Sequence, residues 1–167
     1  SYWATRLPGV IGLFRRACRA AAGITCISRP LLHKVAAEYA TCVPLLLLEN
    51  AIRDDLFQPL NRKTCREVLG LPINGRIIGT AGALTPDRGI DDLFAAFRML
   101  EQTYPNLYLV VAGPRPGERS FSGSHLIDLG HLPFDQVPRL FSALDVGIIC
   151  NRDSEFGRYC FPQKFYE

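Results

Sequence analysis

Three stretches carry residue types that could handle a charged ligand. TAGALTPDRG, residues 80–89, sets Gly82 and Ala83 beside a single cation, Arg88. Small residues let a bulky group approach the backbone. Arg88 stands near the entrance of a predicted helix whose unpaired N–H groups favour anions. A phosphate site and a tight turn with a solvated arginine account for this stretch equally well, since it is neither a Walker loop nor a G-x-G-x-x-G. FPQKFYE, residues 161–167, reads as a helix begun at Pro162, with Lys164 and Glu167 three apart on one face. As a surface ion pair they would add about 0.3 kcal/mol. Used separately, the carboxylate can accept hydrogen bonds from two neighbouring sugar hydroxyls and the ammonium can counter a diphosphate. GHLP, 130–133, presents Gly130, His131 and Leu132 in a turn. His131 reads as a surface or packing residue rather than a catalyst. The turn's backbone N–H and C=O groups could pair with a nucleobase edge.

These stretches need elements to hold them. Apolar periodicity predicts helices over 10–22, 29–40, 62–70, 88–104 and 134–144. In the first, Val10, Leu13, Phe14, Ala17 and Ala21 share the apolar face and the arginines leave it. Short β-rich or continuous apolar runs predict strands at 24–28, 43–50, 76–84, 107–113, 125–132 and 145–151. VPLLLLEN, 43–50, has the pattern of a strand buried on both faces. AIRDDLFQP, 51–59, is aperiodic, ends in Pro, and reads as an interdomain linker. From residue 62 onward strands and helices alternate, which favours a parallel βαβ sheet. In such a sheet ligands bind beyond the carboxyl ends of the strands, where all three stretches fall.

Composition bounds the partners. The 167-residue chain is 48% hydrophobic and 21% charged, the balance of a globular protein. A net charge of +3 gives no case for nucleic acid. Residues 1–50 carry a net +4 and residues 51–167 a net −1. A basic N-terminal part reads as a solvated face first, with a peripheral membrane contact as the alternative. Six cysteines lack Cys-x-x-Cys or metal-finger spacing and sit mostly in apolar runs, so they are expected to be reduced and the protein cytoplasmic. No metal site and no cofactor is expected. The first residue is Ser, so the N-terminus is expected to be cut.

The order of motifs says more than any one of them. The run AAGITCISRPLL, VPLLLLENAIRDDLFQP, GTAGALTPDRGIDDLFAAFRML, LYLVVAGP, IDLGHLPFDQVPRLFSALDVGIICN and FGRYCFPQKFYE resembles the glycosyltransferases of family 4, which have the GT-B fold. The resemblance covers about residues 20–167. Ser28 and Asn50–Pro59 resemble the family's strand end and its crossover between domains. Gly82–Gly89 aligns with the family's G-R-L-x-x-x-K-G: Arg88 keeps the second cation, and Ala83 stands at the first. The family's base-contacting turn aligns with Gly130, His131 and Leu132, and its a-D-v strand start with Asp145. The second carboxylate of its E-x7-E motif, which binds ribose hydroxyls, aligns with Glu167. Strict spacing puts Tyr159 at the first carboxylate; the local pattern points instead to Glu155, Phe156 and Gly157, with four residues inserted. The family's P-x-K-x-x-E variant matches Pro162, Lys164 and Glu167.

The resemblance implies a Rossmann-like α/β parallel sheet with flanking helices, one half of a GT-B fold, preceded by the tail of a second α/β domain. Residues 1–50 would end the N-terminal domain, 51–59 link, and 60–167 form an incomplete nucleotide-sugar-binding domain. The implied activity is transfer of a sugar, with retention, from a nucleoside-diphosphate sugar to a glycan or lipid-linked acceptor, as in polysaccharide biosynthesis. Arg88 and Lys164 would stabilise the leaving diphosphate, as an electrostatic rather than metal-dependent catalyst. Gly82, Ala83, Gly130, His131, Leu132, Glu155, Phe156, Gly157 and Glu167 would complete the donor site. A peripheral location at the inner face of a membrane fits such acceptors. The family continues past Glu167, so this stretch alone is expected to be inactive. A non-catalytic nucleotide-sugar-binding scaffold, or a GT-B hydrolase or epimerase, are the rival readings.

Overall fold

The computed structural model describes residues 7–39, 42–115, 117, 121 and 123–167. The chain divides into two compact units: Ser1–Ala51 with Asp153–Pro162, and Ile52–Arg152 with Gln163–Glu167. Residues 52–59, expected as a linker, fall in the second unit, where Phe57 is buried against Phe134 and Phe141.

In the first unit, α1 (Val10–Ala20) precedes strand β1 (Ile24–Cys26), α2 (Arg29–Glu38) and strand β2 (Leu45–Leu47). The two strands pair in parallel, Thr25 opposite Leu46. Ser28 caps α2 by accepting from the Leu31 N–H, and Pro30 fits the first turn, where no N–H is needed. Cys18, Cys26 and Val35 form the core, flanked by Ile24, Leu31 and Leu45. Two expectations fail here. Leu46 is 59% exposed and Leu48 57% exposed, so β2 is not buried on both faces. Side chains alternate along a strand, and the described helices pack on only one side of this pair. Nor is Val10, Leu13, Phe14, Ala17, Ala21 the buried face of α1: only Cys18 is buried and Leu13 is 68% exposed. The unit is completed by α6 (Glu155–Tyr159), which periodicity did not predict. Five residues are too few to show a helical repeat, and the signal is local: Ser154 Oγ accepts from the Gly157 N–H at 3.0 Å.

The second unit is an α/β domain of four parallel strands in the order β5-β4-β3-β6, with β3 (Arg76–Ala81), β4 (Leu107–Ala112), β5 (Leu126–Asp128) and β6 (Val146–Gly147). Alternation along the central strands makes two cores. Ile77, Val110 and Ala112 pack with Leu140 and Ala143 of α5 (Val137–Ala143) and with Cys65 of α3 (Arg62–Val68). Leu107, Leu109 and Val111 turn the other way, onto Ile90, Leu93 and Phe97 of α4 (Ile90–Glu101). Strands β5 and β6 are shorter than the runs 125–132 and 145–151. At the start of β6 the Asp145 N–H donates to the Ile77 carbonyl at 2.8 Å, and its side chain adds to that pairing. Its Oδ2 accepts from the Ile77 N–H at 2.7 Å and from Arg66 at 2.8 Å, and its Oδ1 accepts from Arg62 at 2.9 Å. Arg66 is 4% exposed and also donates to the carbonyls of Ala143, Ile73 and Gly75. One carboxylate thus ties β3, β6 and α3 together at the amino end of the sheet.

Candidate functional site

At the carboxyl end of the sheet the strand-end loops interlock through two glycines. Gly82 has φ +118° and Gly113 φ +137°, in the region L side chains avoid. A Cβ on Gly113 would lie 2.1 Å from the Gly82 carbonyl oxygen, so the two backbones meet where no side chain fits. The Gly82 N–H donates to Ala112 O at 2.9 Å and the Gly113 N–H to Gly130 O at 2.7 Å. Asp128 accepts from the Gly130 N–H at 2.9 Å and pairs with Arg115; the Arg115 guanidinium, together with the Gly130 N–H, pulls the Asp128 carboxyl pKa down despite burial. Three loops, after β3, β4 and β5, are thereby fixed against one another.

Lys164 sits on this platform. A Cβ on Gly82 would lie 3.1 Å from Lys164 Nζ, a tight contact, so the ammonium packs close against the Gly82 backbone. Lys164 shares a narrow cleft with Thr80, Ala83, Arg88 and Cys150. Burial, then the Arg88 charge, hold the Lys164 pKa below the ordinary lysine value, against the opposite pull of Cys150 and Glu167. Burial pushes the Glu167 carboxyl up, against the pull of Lys164. A self-sufficient ion pair would shift both the other way. No nitrogen–oxygen contact within 4.0 Å joins the two among the described ion pairs. The surface-ion-pair reading therefore fails: desolvation outweighs the attraction between Lys164 and Glu167. The expected helix from Pro162 is also absent. A single 3-10 turn, Gln163–Phe165, stands there instead, and it aims Lys164 and Glu167 into one cavity of about 270 Å³ beside Phe141 and Ile149.

The structure brings Gly82, Ala83, Arg88 and Lys164 together at this end of the second unit, with Glu167 lining the adjoining cavity. Ala83 is exposed and brings no charge. Arg88 ends a 3-10 turn, Pro86–Arg88, before Gly89 at φ +74° opens α4. The first turn of α4 is acidic, and its Asp92 is ion-paired with Arg152 at 3.1 Å. Gly130 bonds to the Gly113 loop; His131 is exposed, and Leu132 packs against the core. Glu155, Phe156 and Gly157 belong to α6 in the first unit, and the Glu155 side chain lies outside the described residues. Cys150 and Gly113 were not singled out from sequence. Cys150 reads as one more apolar-run thiol, and Gly113 as an ordinary strand-ending glycine.

The parallel sheet flanked by helices, with glycine-tight loops at the carboxyl ends of its strands, is an α/β fold that matches those of solved GT-B glycosyltransferases. Sucrose-phosphate synthase from Thermosynechococcus elongatus is similar over 89% of this chain and 40% of its own, with a TM-score of 0.73 and 18% identity. The catalytic domain of starch synthase IV from Arabidopsis thaliana, bound to ADP and acarbose, matches 81% of this chain and 36% of its own (TM-score 0.60, 19% identity). The C-terminal domain of a glycosyl transferase group 1 family protein (LpcC) from Francisella tularensis matches 64% of this chain and 62% of its own (TM-score 0.53, 20% identity). The chain therefore spans less than two thirds of the length of each. No protein-family model and no curated protein matches it.

Proposed function

We infer that the chain is the nucleotide-binding part of a family 4 glycosyltransferase that moves a sugar, with retention, from a nucleoside-diphosphate sugar to a glycan or lipid-linked acceptor. One observation carries the reading: Lys164 Nζ sits against the Gly82 backbone next to Arg88, at a strand carboxyl edge, with its charge disfavoured by burial. A diphosphate offers Lys164 and Arg88 a shared anionic ligand at this edge. Glu167, lining the adjoining cavity, is the acceptor for ribose hydroxyls. Residues 1–50 end an N-terminal acceptor domain, and the unit of Ile52–Arg152 with Gln163–Glu167 holds the donor. Arg88 and Lys164 stabilise the departing diphosphate, and the intact protein works in the cytoplasm at the membrane's inner face.

The exposed Ala83, where the resembled family has its first cation, favours a second reading: a nucleotide-sugar-binding protein that does not turn over. Calorimetric titration with UDP, GDP and ADP, followed by donor-hydrolysis and transfer assays on the intact protein, separates the two. Binding with transfer supports the enzyme, and binding without transfer the scaffold. No binding of any nucleotide removes both.

A further inference from the structure

We propose that Asp128, held by Arg115, is a positioning residue for the turn at His131 and Leu132, whose backbone groups read the nucleobase edge. The proposal rests on the nucleotide-binding reading above. A ring of contacts closes beneath the turn. The Gly130 N–H donates to Asp128 Oδ1 at 2.9 Å, and the Gly130 carbonyl accepts from the Gly113 N–H at 2.7 Å. Arg115 stands two residues after Gly113. It donates to both Asp128 oxygens, from Nη2 to Oδ1 at 2.7 Å and from Nη1 to Oδ2. The pair is sheltered, with side chains 17% and 18% exposed. Arg115 is braced in turn. Its guanidinium lies over the Phe121 ring, 5.2 Å from the centroid, and Phe121 packs on Phe94 of α4 at 4.4 Å.

Both backbone groups of Gly130 are thus used inside the protein, and Gly130 turns the chain at φ +66°, which glycine adopts without steric cost. Among the described backbone hydrogen bonds, none uses the N–H or carbonyl of His131 or Leu132, the next two residues. Those groups are placed to meet a ligand. Leu132 packs on the core cluster that holds Leu140 of α5, and Phe141 of the same helix lines the cavity that Glu167 enters. Turn and cavity therefore share α5 as a support. A base read by backbone groups needs the turn fixed beforehand, because ordering left to the ligand weakens binding. Asp128 supplies that order. A carboxylate can accept from Arg115 and from Gly130 together, so it acts through the turn and not on the nucleotide.

The test is calorimetry of the intact protein and its Asp128 variants with UDP, GDP, ADP and inorganic diphosphate, with thermal melts as a check on folding. Asp128→Ala loses both partners, whereas Asp128→Asn keeps an oxygen for the Gly130 N–H. Asp128→Ala is expected to weaken the best-bound nucleotide about fivefold, the equivalent of about 1 kcal/mol of turn ordering that binding must then supply. Inorganic diphosphate, which reports on Arg88 and Lys164 alone, should bind both variants as it binds the wild type. Asp128→Asn should lose less nucleotide affinity than Asp128→Ala. Wild-type nucleotide affinity in Asp128→Ala would overturn the proposal. So would an equal loss for nucleotide and inorganic diphosphate, which is a general structural effect. If Asp128→Ala does not fold, Asp128→Asn decides by the same split: a loss confined to the nucleotides supports the proposal, and no loss or an equal loss overturns it. No binding of any nucleotide by the wild-type protein removes the nucleotide reading and this proposal together, whereas wild-type binding with an unaffected Asp128→Ala removes this proposal alone.

Discussion

Replacing Asp145 with alanine removes the acceptor of three hydrogen bonds at once: from the Ile77 N–H, Arg66 and Arg62. The cost follows from which donors are stranded. Arg62 is 57% exposed and returns to water, so its share is small. Arg66 cannot, because its side chain is 5% exposed. It keeps three carbonyl partners but loses its only described counter-charge. Stranding a buried charge costs about 3–5 kcal/mol. Asp145 itself keeps 31% side-chain exposure, so water partly replaces it, and the loss should lie near the lower end, about 3 kcal/mol. For a chain of this size that corresponds to a fall of roughly 6–12 °C in Tm. The pH dependence has a definite sign. Burial raises the Asp145 pKa, but the Ile77 N–H, Arg66 and Arg62 together bring it below its ordinary value. Its contribution is therefore complete above about pH 4, the unfolded value, and is lost as pH falls through the depressed folded value. Thermal melts and urea titrations at pH 7 and pH 3 measure both effects. A loss under about 1 kcal/mol at pH 7, or an equal loss at both pH values, would refute the clamp.

Other substitutions test the site. Gly113→Ala drives a Cβ to 2.1 Å from the Gly82 carbonyl at φ +137°; it should lower Tm sharply and abolish nucleotide binding, as a melt and a titration will show. Lys164→Met removes an ammonium whose pKa burial lowers, so Tm at pH 7 should rise while nucleotide affinity falls more than tenfold, the loss of one charge-assisted hydrogen bond of about 1.5–3 kcal/mol. In the wild-type protein, nucleotide affinity should fall as pH rises through the depressed Lys164 value, which lies below the usual ~10.4, and Lys164→Met should flatten that profile.

The sheet was legible from sequence because β3 and β4 are continuous apolar runs buried on both faces, and α4 has apolar residues at a clean helical spacing. The first unit was less legible. Continuous leucines look alike whether one face of a strand is covered or two, so Leu46 and Leu48 gave no warning of their exposure. Residues 154–167 failed for another reason. They are ordered by a serine cap, a 3-10 turn and a long-range hydrogen bond to Ser28, none of which has a periodic signature. Lys164 and Glu167 could be singled out by type, but only the geometry shows that burial outweighs their attraction. Asp145 was visible as a strand start; its part in holding Arg66 depends on contacts 79 residues apart.

We propose that Lys164, Arg88 and Glu167 receive a nucleoside diphosphate. Calorimetric titration of the wild-type protein and of Glu167→Ala with UDP, GDP and ADP tests it most directly. Saturable binding of at least one nucleotide is expected, with at least a tenfold weaker affinity in Glu167→Ala, the loss of a charged acceptor of about 1.5–3 kcal/mol. No binding by the wild-type protein, or equal affinity in the variant, would contradict it.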